Sequence, residues 1–121
     1  MLTTTATLLP LALPDDLIAL QHRVLAADRA VGDFALAVRD HRRAAYPAPH
    51  QAVQRCTWAA AEQDEFDRRW AAYEQAGAAL RAHPVLVRAR VLGIEPQVLR
   101  ELRRAALSSP AAAASPGPAC G

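Results

Sequence analysis

Apolar residues recur every three or four positions along two long stretches of the chain. The first series is Leu17, Leu20, Val24, Ala27, Val31, Phe34 and Val38, and the second is Phe66, Trp70, Tyr73, Gly77 and Leu80. This alternating spacing gives one face of an α-helix a continuous apolar seam of the kind found in coiled coils. The pattern predicts two long amphipathic helices, over about 15–44 and about 52–82.

Proline and charge mark the ends of these helices. Pro14-Asp15-Asp16 places negative charge at the positive end of the first helix dipole. Tyr46-Pro47-Ala48-Pro49 ends this helix because proline lacks the N–H that would continue it. The second helix is expected to start between His50 and Thr57, with Thr57 as a candidate cap, and His83-Pro84 ends it. Two helices of similar length around a proline-rich turn predict an antiparallel two-helix hairpin.

Two shorter helices are predicted after the hairpin, over about 84–92 and 95–107, because Gly93 stops one helix and Pro96 opens the next. We therefore expect an all-α fold, with the hairpin and these helices in one domain over 14–107. Residues 1–13 are expected to be extended. The Ala/Ser/Pro/Gly tail over 108–121 has no charge and no large apolar group to offset its ordering entropy, which predicts disorder.

Charge is unevenly distributed along the 121 residues, whose fourteen basic side chains are all Arg. Residues 1–80 hold eight Arg and ten acidic residues, a balance of −2, whereas residues 81–121 hold six Arg and two Glu, a balance of +4. No stretch approaches the roughly 18 apolar residues of a membrane-spanning helix, and the start lacks the charge of a signal peptide. Cys56 and Cys120 are far apart and predict no disulfide. We expect a cytoplasmic protein that does not contact membranes.

The basic C-terminal third has the residue spacing of a helix-turn-helix unit. Relative to a turn glycine at Gly93, the small Ala89 lies four residues earlier, and Leu99 and Leu102 lie six and nine residues later. Such a unit needs a small contact residue, a left-handed turn residue and an apolar back to its second helix. Over residues 85–104 the chain resembles the helix-turn-helix of bacterial transcription regulators.

That resemblance implies a DNA-contacting face on the second helix, with Gln97, Arg100 and Arg104 as candidates. Glutamine pairs with adenine, and arginine pairs with guanine or with phosphate. The local excess of positive charge agrees with this interpretation. Arg88 departs from the pattern, because this position is usually partly buried. Two helices between a glycine stop and a proline start also suit plain packing, so both readings stay open.

A second resemblance rests on three short segments of the chain. These segments are Leu13-Pro14-Asp15-Asp16-Leu17 with Gln21, Thr57-Trp58 with Glu62-Gln63, and Ala82-His83-Pro84. In them the chain resembles small helical-hairpin proteins of high-GC actinobacteria, many of which are encoded on plasmids or integrated mobile elements. Those proteins have no assigned function, so the resemblance implies an accessory role and identifies no active residue.

The sequence offers little for catalysis or metal binding. The candidate ligands do not show the close paired spacings of zinc sites; they are His22, His41, His50, His83 and Cys56. Neither a phosphate-binding glycine loop nor a nucleophile motif is present. We expect a non-enzymatic protein with no metal, no cofactor and no small-molecule substrate.

A second apolar stripe, formed by Ile18, Leu25, Leu36 and Trp58, lies off the seam. A two-helix hairpin covers only one face of each helix, so either the C-terminal helices or another copy of the chain covers this stripe. We therefore expect a helical accessory protein that acts through protein–protein association, of which a homodimer is the simplest form. The alternative is a DNA-binding protein that uses residues 85–104.

Overall fold

The computed structural model of the protein describes residues 13–108, and the secondary structure of this part is helical. The five α-helices of the described chain are α1 (Asp15–Ala45), α2 (Ala52–Cys56), α3 (Ala60–Arg81), α4 (Pro84–Val91) and α5 (Glu95–Leu107). A single turn of 3₁₀-helix, Pro49–Gln51, precedes α2. The all-α fold class is confirmed for these residues. The predictions for residues 1–12 and 109–121 lie outside the described residues.

The first helix begins and ends where the sequence signals lie. The amides of Leu17 and Ile18 both bond to the carbonyl of Pro14, and acidic residues occupy the first turn. Arg42 and Arg43 lie in the last turn, where positive charge complements the helix dipole. The prolines that follow prevent the helix from continuing.

The second predicted helix is divided, and the prediction of one continuous helix over 52–82 is wrong. Thr57 does not cap α3; its Oγ1 donates to the carbonyl of Val53 at 2.7 Å, at the end of α2. The cap of α3 is Ala59, whose carbonyl accepts the amide of Gln63 at 2.9 Å. The side chain of Glu62 accepts the amide of Ala59 at 2.8 Å and satisfies this free donor.

The described chain divides into two compact units, and each long helix contributes a segment to both. We call residues 13–24 with 76–108 the terminal unit and residues 25–75 the central unit. The prediction that all of these residues form one domain stays a prediction.

The terminal unit has an apolar core to which every one of its helical segments contributes. Its buried members are Leu17, Leu80, Leu86, Ala89, Val98 and Leu102. Burying a leucine side chain fully stabilises a fold by about 1.5–3 kcal/mol. At the edge of this core, the Nε2 atom of His22 lies 3.1 Å from the carbonyl oxygen of Ala106, which ties α1 to the last turn of α5.

The central unit is organised largely by aromatic rings and arginine contacts, beside the buried aliphatic side chain of Val38. Trp58 makes edge contacts with Phe34 and Phe66, at centroid distances of 6.1 and 5.3 Å. Arg69 lies over the ring of Phe34 and donates to the carbonyl of Ala30 at 3.1 Å. Aromatic pairs of this geometry contribute about 0.5–1.5 kcal/mol beyond their buried area.

Candidate functional site

The corner between α4 and α5 is closed by backbone hydrogen bonds. The amide of Ile94 bonds to the carbonyl of Ala89 at 2.9 Å, and the amide of Gly93 bonds to that of Arg90 at 3.2 Å. This pair of bonds is the Schellman motif, which requires a left-handed residue after the helix. Gly93 supplies it with φ 73°. The prediction that Gly93 is the turn residue of this corner is confirmed.

The inner side of the corner is apolar and largely buried. Ala89 has no exposed surface, and its methyl group leaves room for close approach of the next helix. On α5 the buried positions are Val98, Leu102 and Ala106, which recur at intervals of four. Leu99 and Ile94 are half-buried and pack against the same core. The apolar back predicted from Leu99 and Leu102 is therefore present.

The outer side of α5 is polar and exposed. Gln97, Arg100 and Arg104 are exposed and lie on the helix face opposite Val98 and Leu102. The positions 97, 100, 101 and 104 follow the i, i+3, i+4, i+7 spacing that places side chains on one face of a helix. Arg88 is also exposed, so this departure from the usual pattern places its charge in solvent.

The charges at this corner are partly paired. Arg104 donates from Nη1 to Oε2 of Glu101 at 2.7 Å, and Arg90 donates to Glu95 at 2.8 Å. Within residues 13–108, no hydrogen bond or ion pair engages the side chains of the three other exposed arginines of α4 and α5, Arg88, Arg100 and Arg103. The corner therefore presents several guanidinium groups to solvent, against only two carboxylates between residues 81 and 108.

The four residues of the predicted interaction face are in different environments. Ile18 is half-buried and packs against the core of the terminal unit. Trp58 is half-buried among the aromatic rings of the central unit, and Leu25 is also half-buried. Leu36 is 45% exposed. Two of the four, Ile18 and Trp58, are therefore engaged within their own units, and the role of the face in binding stays a prediction.

An open groove of about 480 Å³ lies beside Trp58 in the central unit; we call it the aromatic groove. Its lining is Ala35, Cys56, Trp58, Gln63 and Phe66. Trp70, predicted to lie in the buried seam, is instead 44% exposed and stacks on Phe66. The sequence singled out Trp58, but the groove depends on the break between α2 and α3, which the pattern of apolar residues did not reveal.

The carboxyl group of Glu65, in α3, has a lowered pKa. Hydrogen bonds from Arg69, and then from Arg68, hold the pKa of Glu65 below its ordinary value of 4.5. The shorter bond, from Arg68 Nη2, is 2.6 Å long. These contacts favour the ionised carboxylate because they are made only to the charged form.

No group of three or more His, Cys, Asp or Glu side chains between residues 13 and 108 is placed to hold a metal ion. Likewise, none of the helices in this part is long and apolar enough to cross a membrane.

Comparison with known proteins gave no match to a protein-family model, to a curated protein or to a solved structure.

Proposed function

We propose that this protein binds duplex DNA through the outer face of α5. The observation that carries the proposal is the corner at Gly93, where a glycine with φ 73° and the buried Ala89 present three exposed polar side chains away from the core. Those side chains are Gln97, Arg100 and Arg104. Arginine and glutamine are residues that read guanine and adenine in the major groove.

The charge of the corner supports the same proposal. Between residues 81 and 108 six arginines face two glutamates, which gives this segment a balance of +4. Each phosphate that an arginine neutralises releases counterions, so binding weakens with salt with a slope of about −0.9 per contact. Two such contacts give a slope of about −1.8, and a fourfold rise in salt lowers the affinity about 12-fold.

The test is fluorescence anisotropy of the full chain on a labelled duplex of random sequence, at low and physiological salt. We expect binding that weakens with salt as stated, and that is lost in the double variant Arg100→Ala/Arg104→Ala. A matched control is Arg39→Ala/Arg43→Ala, which removes two exposed arginines from α1 in the central unit. Absence of binding at low salt, or an equal loss in the control, contradicts the proposal.

A second candidate function is self-association through the central unit. It is favoured by the exposure of Leu36 and Trp70 in the unit that also contains the aromatic groove. Exposed aromatic residues are frequent anchors of protein interfaces. Sedimentation analysis in high salt separates this function from the first. A concentration-dependent dimer that Leu36→Glu dissociates supports it, and a monomer at all concentrations contradicts it.

We also propose that α1 and α3 form the antiparallel hairpin expected from the sequence. In support, Ala30 contacts Arg69 and the later residue Arg42 contacts the earlier residue Glu62, both within the central unit. The Val31→Cys/Phe66→Cys pair, in a Cys56→Ser/Cys120→Ser background, tests whether residues 31 and 66 face each other in the hairpin. Formation of an intramolecular disulfide supports the register, and its absence under oxidising conditions contradicts it.

A further inference from the structure

The arginines on the outer side of α5 differ in how they are held. Arg104 is fixed by Glu101 through one hydrogen bond of 2.7 Å, although its side chain is 70% exposed. Arg100 and Arg103 are also exposed, and neither has such a partner among the described residues. An arginine oriented by a carboxylate partner is suited to a directional contact, whereas one without such a partner is suited to a diffuse charge such as a phosphate.

The pair formed by Arg104 and Glu101 leaves the atoms needed for base contacts available. The bond uses one N–H of Arg104 Nη1 and one oxygen of Glu101, so Nη2, Nε and the carboxylate Oε1 take no part in it. Arginine pairs bidentately with O6 and N7 of guanine, and a glutamate oxygen accepts from N4 of cytosine. The two side chains lie three residues apart, next to each other on the helix surface.

We propose, resting on the proposed function, that the Glu101–Arg104 pair recognises DNA sequence. Arg104 selects a guanine, and Glu101 selects a cytosine that is paired with this guanine or adjacent to it. Arg100 and Arg103 contact phosphates and add affinity without sequence preference. Gln97 lies about one helical turn before Arg100 and about two turns before Arg104, and it reads an adjacent base pair. The pair differs in this role from an ordinary i,i+3 ion pair, which contributes only to helix stability.

The experiment selects bound duplexes from a pool with a randomised central region, using the full chain. Affinities are then measured on the selected site and on a copy in which each G·C pair is replaced in turn by A·T. We expect a selected G·C pair at which the wild-type chain discriminates by about 10- to 100-fold. Arg104→Lys keeps the charge but loses the fork geometry, so this discrimination should fall to a few-fold.

The variants of the neighbouring residues complete the test. Arg100→Ala should weaken binding to every duplex equally and reduce the salt slope by about 0.9. Glu101→Gln should reduce the preference for cytosine. If Arg104→Lys keeps full discrimination, or if Arg104→Ala weakens all duplexes equally, the pair does not read sequence and the inference is wrong. If no duplex binds at any salt concentration, the proposed function itself fails, which is a different result.

Discussion

One carboxylate oxygen of Glu62 accepts two hydrogen bonds, from Arg42 Nη1 at 2.9 Å and from the amide of Ala59 at 2.8 Å. The Arg42 and Glu62 side chains are only 13% and 21% exposed. Arg42 also donates from Nε to the carbonyl of Gln54, within α2, at 2.9 Å. The Glu62 side chain thus links the last turn of α1 to the first turn of α3 in the central unit.

Replacing Glu62 should therefore cost more stability than its position on a helix surface suggests. Glu62→Ala removes a cap and leaves the shielded Arg42 without its ion pair, so we expect a loss of about 2 kcal/mol in the free energy of unfolding. Urea denaturation measures it. Glu74→Ala, at an exposed position of the same helix, is the control and should change stability by less than about 0.5 kcal/mol. Equal losses for the two variants would show that the bonds of Glu62 contribute nothing.

Two glycines should respond in opposite directions to the same substitution. Gly93→Ala forces a side chain into the left-handed region and should destabilise the protein by about 1–2 kcal/mol, although no atom lies close enough to clash. Gly32 is exposed within α1 and has open space around it, so Gly32→Ala should stabilise the protein by about 0.5–1 kcal/mol. Thermal unfolding of both variants tests the pair. A stabilising Gly93→Ala would be incompatible with the turn described here.

The pKa of Glu65 predicts how acid affects the central unit. Because the folded pKa lies below the ordinary value, Glu65 contributes stability above the unfolded pKa, and this contribution is lost as pH falls through the folded pKa. The stability difference between wild type and Glu65→Gln should therefore be constant near neutrality and shrink below about pH 4.5. An NMR titration of the Glu65 carboxyl group gives the pKa directly. In Arg69→Ala the pKa should move toward its ordinary value; an unchanged pKa would rule out this cause.

The two tryptophans should differ in their contributions to stability. Trp58 lies between two other rings, so Trp58→Ala should cost about 3 kcal/mol or more. Trp70 is 44% exposed, and Trp70→Ala should cost about 1 kcal/mol. Denaturation followed by circular dichroism compares them. Fluorescence of each single-tryptophan variant adds a second readout, because the spectrum of the exposed Trp70 should lie at longer wavelength. A larger loss from Trp70→Ala would contradict the packing of the central unit.

Much of the helical content could be predicted from the sequence because the apolar spacing of α1 is regular and its ends carry strong signals. The predicted range was about 15–44, and the helix runs from Asp15 to Ala45. The turn at Gly93 could also be predicted from the sequence, since only glycine adopts its backbone conformation without strain.

The break before α3 could not be predicted in the same way. Its capping residue is Ala59, which has no side-chain oxygen, and the capping contact comes from Glu62 three residues later. Thr57 carries the residue type of a cap but bonds back to Val53 instead. The position of Trp70 was also mispredicted. Helical spacing says which residues share a face, but not whether a ring inserts into a core or stacks along the helix surface, as Trp70 does on Phe66.

The two hydrogen bonds of the Schellman motif at Gly93 are made by main-chain atoms alone, and the side-chain bond from Arg90 to Glu95 also spans the corner. The shape of this corner therefore depends on one glycine and on the buried residues behind it, and not on the exposed residues of α5. Gln97, Arg100 and Arg104 can be exchanged for other polar residues while the scaffold that presents them stays the same. Over evolution, or in a library of variants, the outer face of α5 is free to acquire new binding preferences at little cost to folding.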